Sequence, residues 1–147
     1  KPKITVVGSG YVGMSLAVLL AQHNDVVVLD IDKDRVDKIN NKKSTVADPE
    51  IELFLAEKTL SLKATVNKEE AYECAEFIII ATPTNYDADS NCFNTDSVES
   101  VIRDAMSINP DSIIDFPCIS TCADFDQADI IFTLNLSRTL NNISSAP

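Results

Sequence analysis

The three glycines of this 147-residue chain all fall within six consecutive positions, as Gly8, Gly10 and Gly13. They directly follow residues 3–7, a short β-branched run that predicts a buried strand. Residues 14–22 are apolar and rich in helix formers, which predicts a helix. Between a strand and a helix, glycines at this spacing permit a sharp turn, a close approach of phosphate to the backbone and a tight helix contact. The pattern favours a dinucleotide-binding turn over an ordinary loop.

An acidic residue stands where such a turn requires one. Residues 26–29 predict a second strand, which ends at Asp30, twenty residues after Gly10. A carboxylate there can accept hydrogen bonds from both hydroxyls of an adenosine ribose, and it would repel a 2′-phosphate. The amides near Tyr11 and Val12 open the first helix, whose positive end attracts phosphate. We therefore expect NAD, rather than NADP, as the ligand.

The rest of the chain continues the alternation of strands and helices. Apolar periodicity and N-capping residues predict helices over residues 32–41, 48–57, 68–74 and 96–108, and strands over residues 62–66 and 77–81. Residues 130–134 could form a further strand. Repeated alternation of this kind predicts an α/β fold, a Rossmann-type, doubly wound, mainly parallel sheet with helices on both faces.

A second polar segment follows the predicted strand over residues 77–81. Thr82 and Thr84 come at its carboxyl end, where open α/β sheets bind their ligands. Their hydroxyls could form hydrogen bonds with the nicotinamide half of the cofactor. An ordinary polar loop interrupted by proline is the alternative, and the residue types alone do not separate the two.

Charge and cysteine content exclude several classes of function. The net charge of −11 argues against nucleic acid or an anionic membrane as a partner. No apolar run reaches the length of a membrane span, and we expect a cytoplasmic protein. The cysteines form no C-x-x-C pair, so we expect neither a metal site nor a disulfide framework. They are Cys74, Cys92, Cys118 and Cys122.

Four segments carry a resemblance to a known family, namely residues 8–13, 28–32, 80–87 and 94–110. Residues 3 to about 112 resemble the amino-terminal NAD-binding domain of the UDP-glucose/GDP-mannose dehydrogenase family. The resemblance implies a domain over residues 1–112 and NAD as cofactor. It also implies a two-step oxidation in the full enzyme, which converts the 6-hydroxymethyl group of UDP-glucose to a carboxylate with two NAD.

The resemblance also implies roles for individual residues. Tyr11 and the three glycines would form the phosphate loop, and Val12 would contact the pyrophosphate. Asp30 and Arg35 would lie at the adenosine ribose, and Thr84 would lie on the nicotinamide side. No catalytic residue is implied within this chain.

Residues 113–147 depart from the family pattern. The family's Lys-Ser-Thr-x-Pro-x-Gly and Pro-Glu-Phe-x-x-x-Gly segments cannot be found there, and the segment lacks Gly, Lys, Glu, Val and Tyr. It could be a divergent continuation of the same domain or an out-of-frame tail. The family's catalytic and sugar-nucleotide domain is absent, so we expect a truncated fold.

Two functions follow from these observations. The chain is expected to be the cofactor-binding part of a nucleotide-sugar dehydrogenase, inactive alone, with UDP-glucose a substrate of the full-length enzyme only. The alternative is a stand-alone NAD(H)-binding or redox-sensing module without catalysis. The resemblance is compatible with a homodimer, although the family's dimer contacts lie largely outside this segment.

Overall fold

A parallel sheet lies at the centre of the computed structural model, which describes residues 1–83, 86–87, 92–93 and 96–115. The described part forms one compact unit over Lys1–Asp115. The expected strand over residues 130–134 falls outside the described residues. The strands are β1 (Lys3–Val7), β2 (Asp25–Leu29), β3 (Leu62–Thr65), β4 (Phe77–Ile80), β5 (Tyr86–Asp87), β6 (Cys92–Phe93) and β7 (Ile113–Asp115). The helices are α1 (Tyr11–Leu20), α2 (Lys33–Asn40), α3 (Pro49–Glu57), α4 (Lys68–Tyr72) and α5 (Asp96–Ile108).

The strand order of the sheet is β3-β2-β1-β4-β7, and all four pairings are parallel. The chain first builds outward from β1 to β3 and then crosses to the other side of β1 for β4 and β7. This reversal confirms the predicted Rossmann-type, doubly wound fold. The short antiparallel pair β5–β6 was not predicted from the sequence.

Helices cover both faces of the sheet. Alternate residues of β1 point to opposite faces, so they contact different helices. Ile4 and Val6 belong to the apolar core formed with α1, α2 and α3. Thr5 faces α4, where its hydroxyl donates to the carbonyl of Ala71 at 2.5 Å and is fully buried. Within the described ranges, no helix has both the length and the apolar character needed to cross a membrane.

Side-chain caps fix the starts of three helices. Asp32, Asp48 and Asn67 accept hydrogen bonds from the backbone amides that open α2, α3 and α4. Asp32 and Asp48 open the helices predicted over residues 32–41 and 48–57, and Asn67 immediately precedes the one predicted over residues 68–74, so the structure confirms these three helix starts.

The first helix begins inside the glycine motif. The apolar run predicted helix over residues 14–22, and the amides near Tyr11 and Val12 were expected to open it; α1 runs from Tyr11 to Leu20. The amide of Met14 donates to the carbonyl of Gly10 at 2.9 Å, which closes the first turn around the last residues of the glycine motif. The second half of the motif is therefore helical.

Asn40, the last residue of α2, completes the hydrogen bonding of the edge strand β3. Its amide nitrogen donates to the carbonyl of Ala64 at 2.9 Å, and its amide oxygen accepts from the Ala64 amide at 2.9 Å. Ala64 is buried, so these backbone groups have little access to water. The Asn40 side chain thus takes the place that another strand would occupy.

Replacing Asn40 should therefore destabilise the fold. We expect Asn40→Ala to lower the free energy of unfolding by about 1–2 kcal/mol, because two backbone groups of Ala64 lose their partner. Urea denaturation followed by circular dichroism would measure the change. Asn41→Ala is the matched control, since the Asn41 side chain donates to an exposed helical carbonyl, that of Asp37. Equal unfolding energies for the two variants would contradict the prediction.

Candidate cofactor-binding site

The glycine turn lies where the strand order reverses, between the ends of β2 and β4. The amide of Gly8 donates to the carbonyl of Leu29 at 2.8 Å, and the amide of Ala81 donates to the carbonyl of Val7 at 2.8 Å. From these ends the chain turns into α1 on one side and continues toward Thr82 on the other. Open α/β sheets bind ligands at this position.

The three glycines occupy three different environments. Gly8 has a φ of +100°, and a Cβ there would lie 2.7 Å from the carbonyl oxygen of Ala81. A Cβ on Gly13 would lie 2.0 Å from the carbonyl oxygen of Gly8. A Cβ on Gly10 would meet nothing within 4 Å. Gly8 and Gly13 are thus required by packing, whereas Gly10 borders open space that a ligand could occupy.

The start of α1 lacks the side-chain cap that α2, α3 and α4 possess. Its N-cap is Gly10, which has no side chain to accept a hydrogen bond, and no acidic residue lies in the first turn. Tyr11 and Val12, the first two helical residues, are 59% and 42% exposed. The helix therefore presents its first amides and its positive end to the open space beside Gly10.

Asp30 is held by the glycine turn itself. Its Oδ2 accepts hydrogen bonds from the amide of Ser9, at 2.9 Å, and from the Ser9 hydroxyl. Its Oδ1 accepts from the amide of Asp32 at 3.0 Å. A carboxylate offers about four acceptor positions, so one position on Oδ1 remains for a ligand. The carboxylate is thus fixed beside the turn with acceptor capacity to spare.

Two exposed side chains lie close to Asp30 in the chain. Arg35, in the first turn of α2, has its Nε 3.7 Å from the Oδ2 of Asp32, and both side chains are about half exposed. Ile31 is 96% exposed, immediately after the strand end. A cation and an apolar side chain, both accessible to solvent, therefore follow Asp30 closely in the sequence.

Thr82 follows β4 and lies next to the turn, since a Cβ on Gly8 would be 3.2 Å from the Thr82 amide nitrogen. Its Oγ1 is buried, and in the described part of the chain it is the one buried side-chain polar atom without a hydrogen-bond partner. Such a group is costly unless a ligand or water satisfies it. Thr84 falls outside the described residues. No cluster of three or more His, Cys, Asp or Glu among the described residues could hold a metal ion.

Sequence reasoning missed two residues of the site. Ser9 lies between two glycines of the motif and was assigned no role, yet it is fully buried and donates hydrogen bonds to Asp30. Thr45, in the connection between α2 and α3, donates through its hydroxyl to the carbonyl of Ser9 at 2.6 Å. Neither position belongs to a periodic pattern, so only the three-dimensional arrangement identifies them.

Comparison with known proteins identifies the family to which this chain belongs. Residues 2–114 match the profile of the UDP-glucose/GDP-mannose dehydrogenase family, NAD binding domain. The chain belongs to this family. Over 107 residues it is 54% identical to UDP-glucose 6-dehydrogenase of Streptococcus pneumoniae, which aligns 73% of the chain and 27% of that protein. It is 47% identical over 109 residues to the enzyme of the same name from Campylobacter jejuni, covering 73% and 28%. The NAD-binding domain thus spans about a quarter of the length of these relatives.

Solved structures show the same fold. A GDP-mannose dehydrogenase from Pseudomonas aeruginosa superposes with a TM-score of 0.73 at 21% identity, covering 92% of this chain and 32% of that one. A UDP-D-ManNAc dehydrogenase from Pyrococcus horikoshii gives a TM-score of 0.73 at 25% identity, covering 90% and 32%. The expected family, fold and cofactor are confirmed, whereas the roles of individual residues in binding NAD stay predictions.

Substituting the glycines of this NAD-binding domain should separate packing from binding. We expect Gly13→Ala to lower the free energy of unfolding by at least about 3 kcal/mol, because its Cβ would collide with the Gly8 carbonyl. Gly10→Ala should change it by no more than about 1 kcal/mol, since its Cβ enters open space. Thermal or urea denaturation of both variants measures the difference. Similar stabilities would show that the contact at Gly13 relaxes easily.

Proposed function

We propose that this domain binds NAD along the carboxyl edge of its sheet and supplies the cofactor half of a nucleotide-sugar oxidation. The observation that supports this most directly is the uncapped start of α1, which faces open space at Gly10 and lies beside the fixed carboxylate of Asp30. A helix start without a cap and without acidic residues suits a bound anion.

The pyrophosphate would lie over the first turn of α1. Tyr11 and Val12 are the first helical residues, so their amides have no acceptor within the helix, and Gly10 adds no side chain that would obstruct a ligand there. Backbone amides suit this role because they donate hydrogen bonds without adding a mobile charge. The domain can therefore attract a dinucleotide despite its negative net charge.

The adenosine half would lie at the end of β2. Asp30 retains acceptor capacity on Oδ1, which can receive a ribose hydroxyl. Ile31, almost fully exposed, offers an apolar surface beside it for the adenine base. Arg35 is anchored to Asp32 and can approach the same ribose region. A 2′-phosphate would meet the Asp30 carboxylate, so NAD is preferred.

The nicotinamide half would extend toward the end of β4. Thr82 offers a buried hydroxyl without a partner on this side of the glycine turn, and we assign it to a polar group of the cofactor. Bound NAD would accept a hydride from the substrate alcohol. The role expected for Thr84 remains a prediction, since this residue lies outside the described part.

UDP-glucose is the substrate we propose for the enzyme to which this domain belongs. The two relatives with 54% and 47% identity are both named UDP-glucose 6-dehydrogenase, whereas GDP-mannose 6-dehydrogenases show about 35%. The cytoplasmic location and the homodimer expected from the sequence and the resemblance stay predictions.

We also propose that residues 1–147 alone do not oxidise the substrate. Oxidation of an aldehyde to an acid through a covalent intermediate needs an activated thiolate beside the substrate. Cys74 is exposed and lies between α4 and β4. It is close to Glu76, whose amide binds the carbonyl of Lys3 at the start of β1. This places the thiol at the amino edge of the sheet, opposite the proposed NAD site.

Cofactor binding can be tested by calorimetric titration of the purified chain with NAD and with NADP. We expect NAD to bind more tightly than NADP, and Asp30→Asn to weaken NAD binding about tenfold or more, because a charge-assisted hydrogen bond to the ribose is lost. The variant should also narrow the difference between NAD and NADP.

Asp37→Asn is the control for this experiment. Asp37 is exposed on α2 and its replacement makes the same change in net charge away from the site. It should bind NAD as the unmodified chain does. Absence of NAD binding by the unmodified chain would overturn the proposal, and equal losses in both variants would remove the specific role of Asp30.

A separate assay tests whether the chain alone oxidises UDP-glucose. NADH formation, followed by absorbance with UDP-glucose and NAD, should stay at the level of a blank without protein. Cys74→Ser serves as a second blank, since the thiol at the amino edge should not matter. NADH produced by the unmodified chain would contradict the proposal that residues 1–147 alone do not oxidise UDP-glucose.

A further inference from the structure

The connection between α2 and α3 passes over the glycine turn and is itself firmly shaped. Lys42 adopts a φ of +57°, and the amides of Lys42 and Lys43 return to the carbonyls of Ile39 and Lys38, which ends α2 sharply. The Ser44 hydroxyl then donates to the carbonyl of Val46 at 2.7 Å. Thr45 is thus held between a fixed helix end and a closed turn.

Val46 anchors the far side of this connection, since it packs against the apolar core. Two residues later Asp48 caps α3. The connection therefore cannot move without disturbing the core or the start of α3. Its position over the turn is a consequence of the fold rather than of any ligand.

Thr45 joins this connection to the glycine turn and, through it, to Asp30. Its hydroxyl donates to the Ser9 carbonyl at 2.6 Å, across 36 positions of the chain. Ser9 in turn donates its amide and its hydroxyl to Asp30 Oδ2. Ser9 is fully buried, so water cannot easily replace either partner. The three residues form one continuous set of hydrogen bonds.

We propose that Thr45 is a positioning residue for Asp30, acting through Ser9, and that it contributes to the preference for NAD over NADP. This inference rests on the proposed NAD site. The carbonyl that Thr45 holds belongs to the same peptide unit as the Gly10 amide, so the contact fixes the turn where the pyrophosphate would bind. It also keeps Ser9 directed at Asp30.

Loss of the Thr45 hydroxyl would leave the Ser9 carbonyl without this donor. The peptide unit next to Gly10 could then rotate, because glycine permits many backbone conformations. Ser9 would hold the Asp30 carboxylate less firmly, and the carboxylate could move away from the ribose. A ribose hydroxyl would lose affinity, whereas a 2′-phosphate would meet less repulsion.

The test compares Thr45→Val with Thr45→Ser in calorimetric titrations with NAD and with NADP. Valine preserves the shape of threonine without the hydroxyl, and serine keeps the hydroxyl. We expect Thr45→Val to raise the Kd for NAD about fivefold and to reduce the NAD/NADP affinity ratio about threefold or more, the size expected for one buried hydrogen bond. Thr45→Ser should behave as the unmodified chain.

Ser61→Ala is the matched control, because the Ser61 hydroxyl also bonds a residue 36 positions away, Asp25, at the opposite edge of the sheet. It should leave the affinity ratio unchanged. Combining Thr45→Val with Asp30→Asn should give no further change in the ratio beyond that of Asp30→Asn alone, since both act on one carboxylate. Should Thr45→Val fail to fold, Ser9→Ala tests the second bond of the set by the same ratio.

The outcomes separate the two proposals. An unmodified chain that binds no NAD overturns the proposed function. An unmodified chain that binds NAD, with an unchanged ratio in Thr45→Val or in its substitute Ser9→Ala, overturns the role of Thr45 alone. A purely structural role would lower the affinities for NAD and NADP equally, and that result also rejects the proposal.

Discussion

The arrangement of this domain depends on the close approach of α1 to the glycine turn and of the turn to β4. A Cβ on Gly13 would lie 2.0 Å from the carbonyl oxygen of Gly8, and a Cβ on Gly8 would lie 2.7 Å from the carbonyl oxygen of Ala81. Both neighbours are backbone atoms, so neither can move aside as a flexible side chain could. These two contacts bring the start of α1 and the end of β4 to one crevice, and Gly10, Asp30 and Thr82, three of the residues proposed to contact the cofactor, lie around it.

Much of this could be predicted because the responsible signals are local. The β-branched and apolar runs specify β1, β2 and β4, and the glycines identify the turn because their spacing reflects backbone sterics. Asp32, Asp48 and Asn67 act on amides two or three residues away, so the sequence alone reveals them as caps. The acid at the end of β2 was predictable for the same reason, since strand and turn together determine its position.

The remaining contacts could not be predicted because they join distant parts of the chain. Thr45 binds the Ser9 carbonyl and Asn40 binds Ala64, and neither pair has a spacing that a pattern could detect. Polar side chains at such positions look like ordinary loop or helix-end residues until the chain is folded.

The free amides at the start of α1 and the fixed Asp30 carboxylate explain how a chain of negative net charge can form a site for an anionic dinucleotide. The amides at the start of α1 have no side-chain cap, whereas α2, α3 and α4 satisfy theirs internally. A glycine N-cap such as Gly10 stabilises a helix start less than a Ser, Asp or Asn cap, by roughly a few tenths of a kcal/mol, and hydrogen bonds from the free amides to a bound pyrophosphate would recover that difference. Asp30, by contrast, is already fixed by Ser9 and Asp32. Because the Asp30 side chain is already immobilised, binding of a ligand to it costs the protein less conformational entropy. Less of the free energy of the dinucleotide contacts is therefore lost to ordering the carboxylate, because the fold holds it in place before the ligand binds.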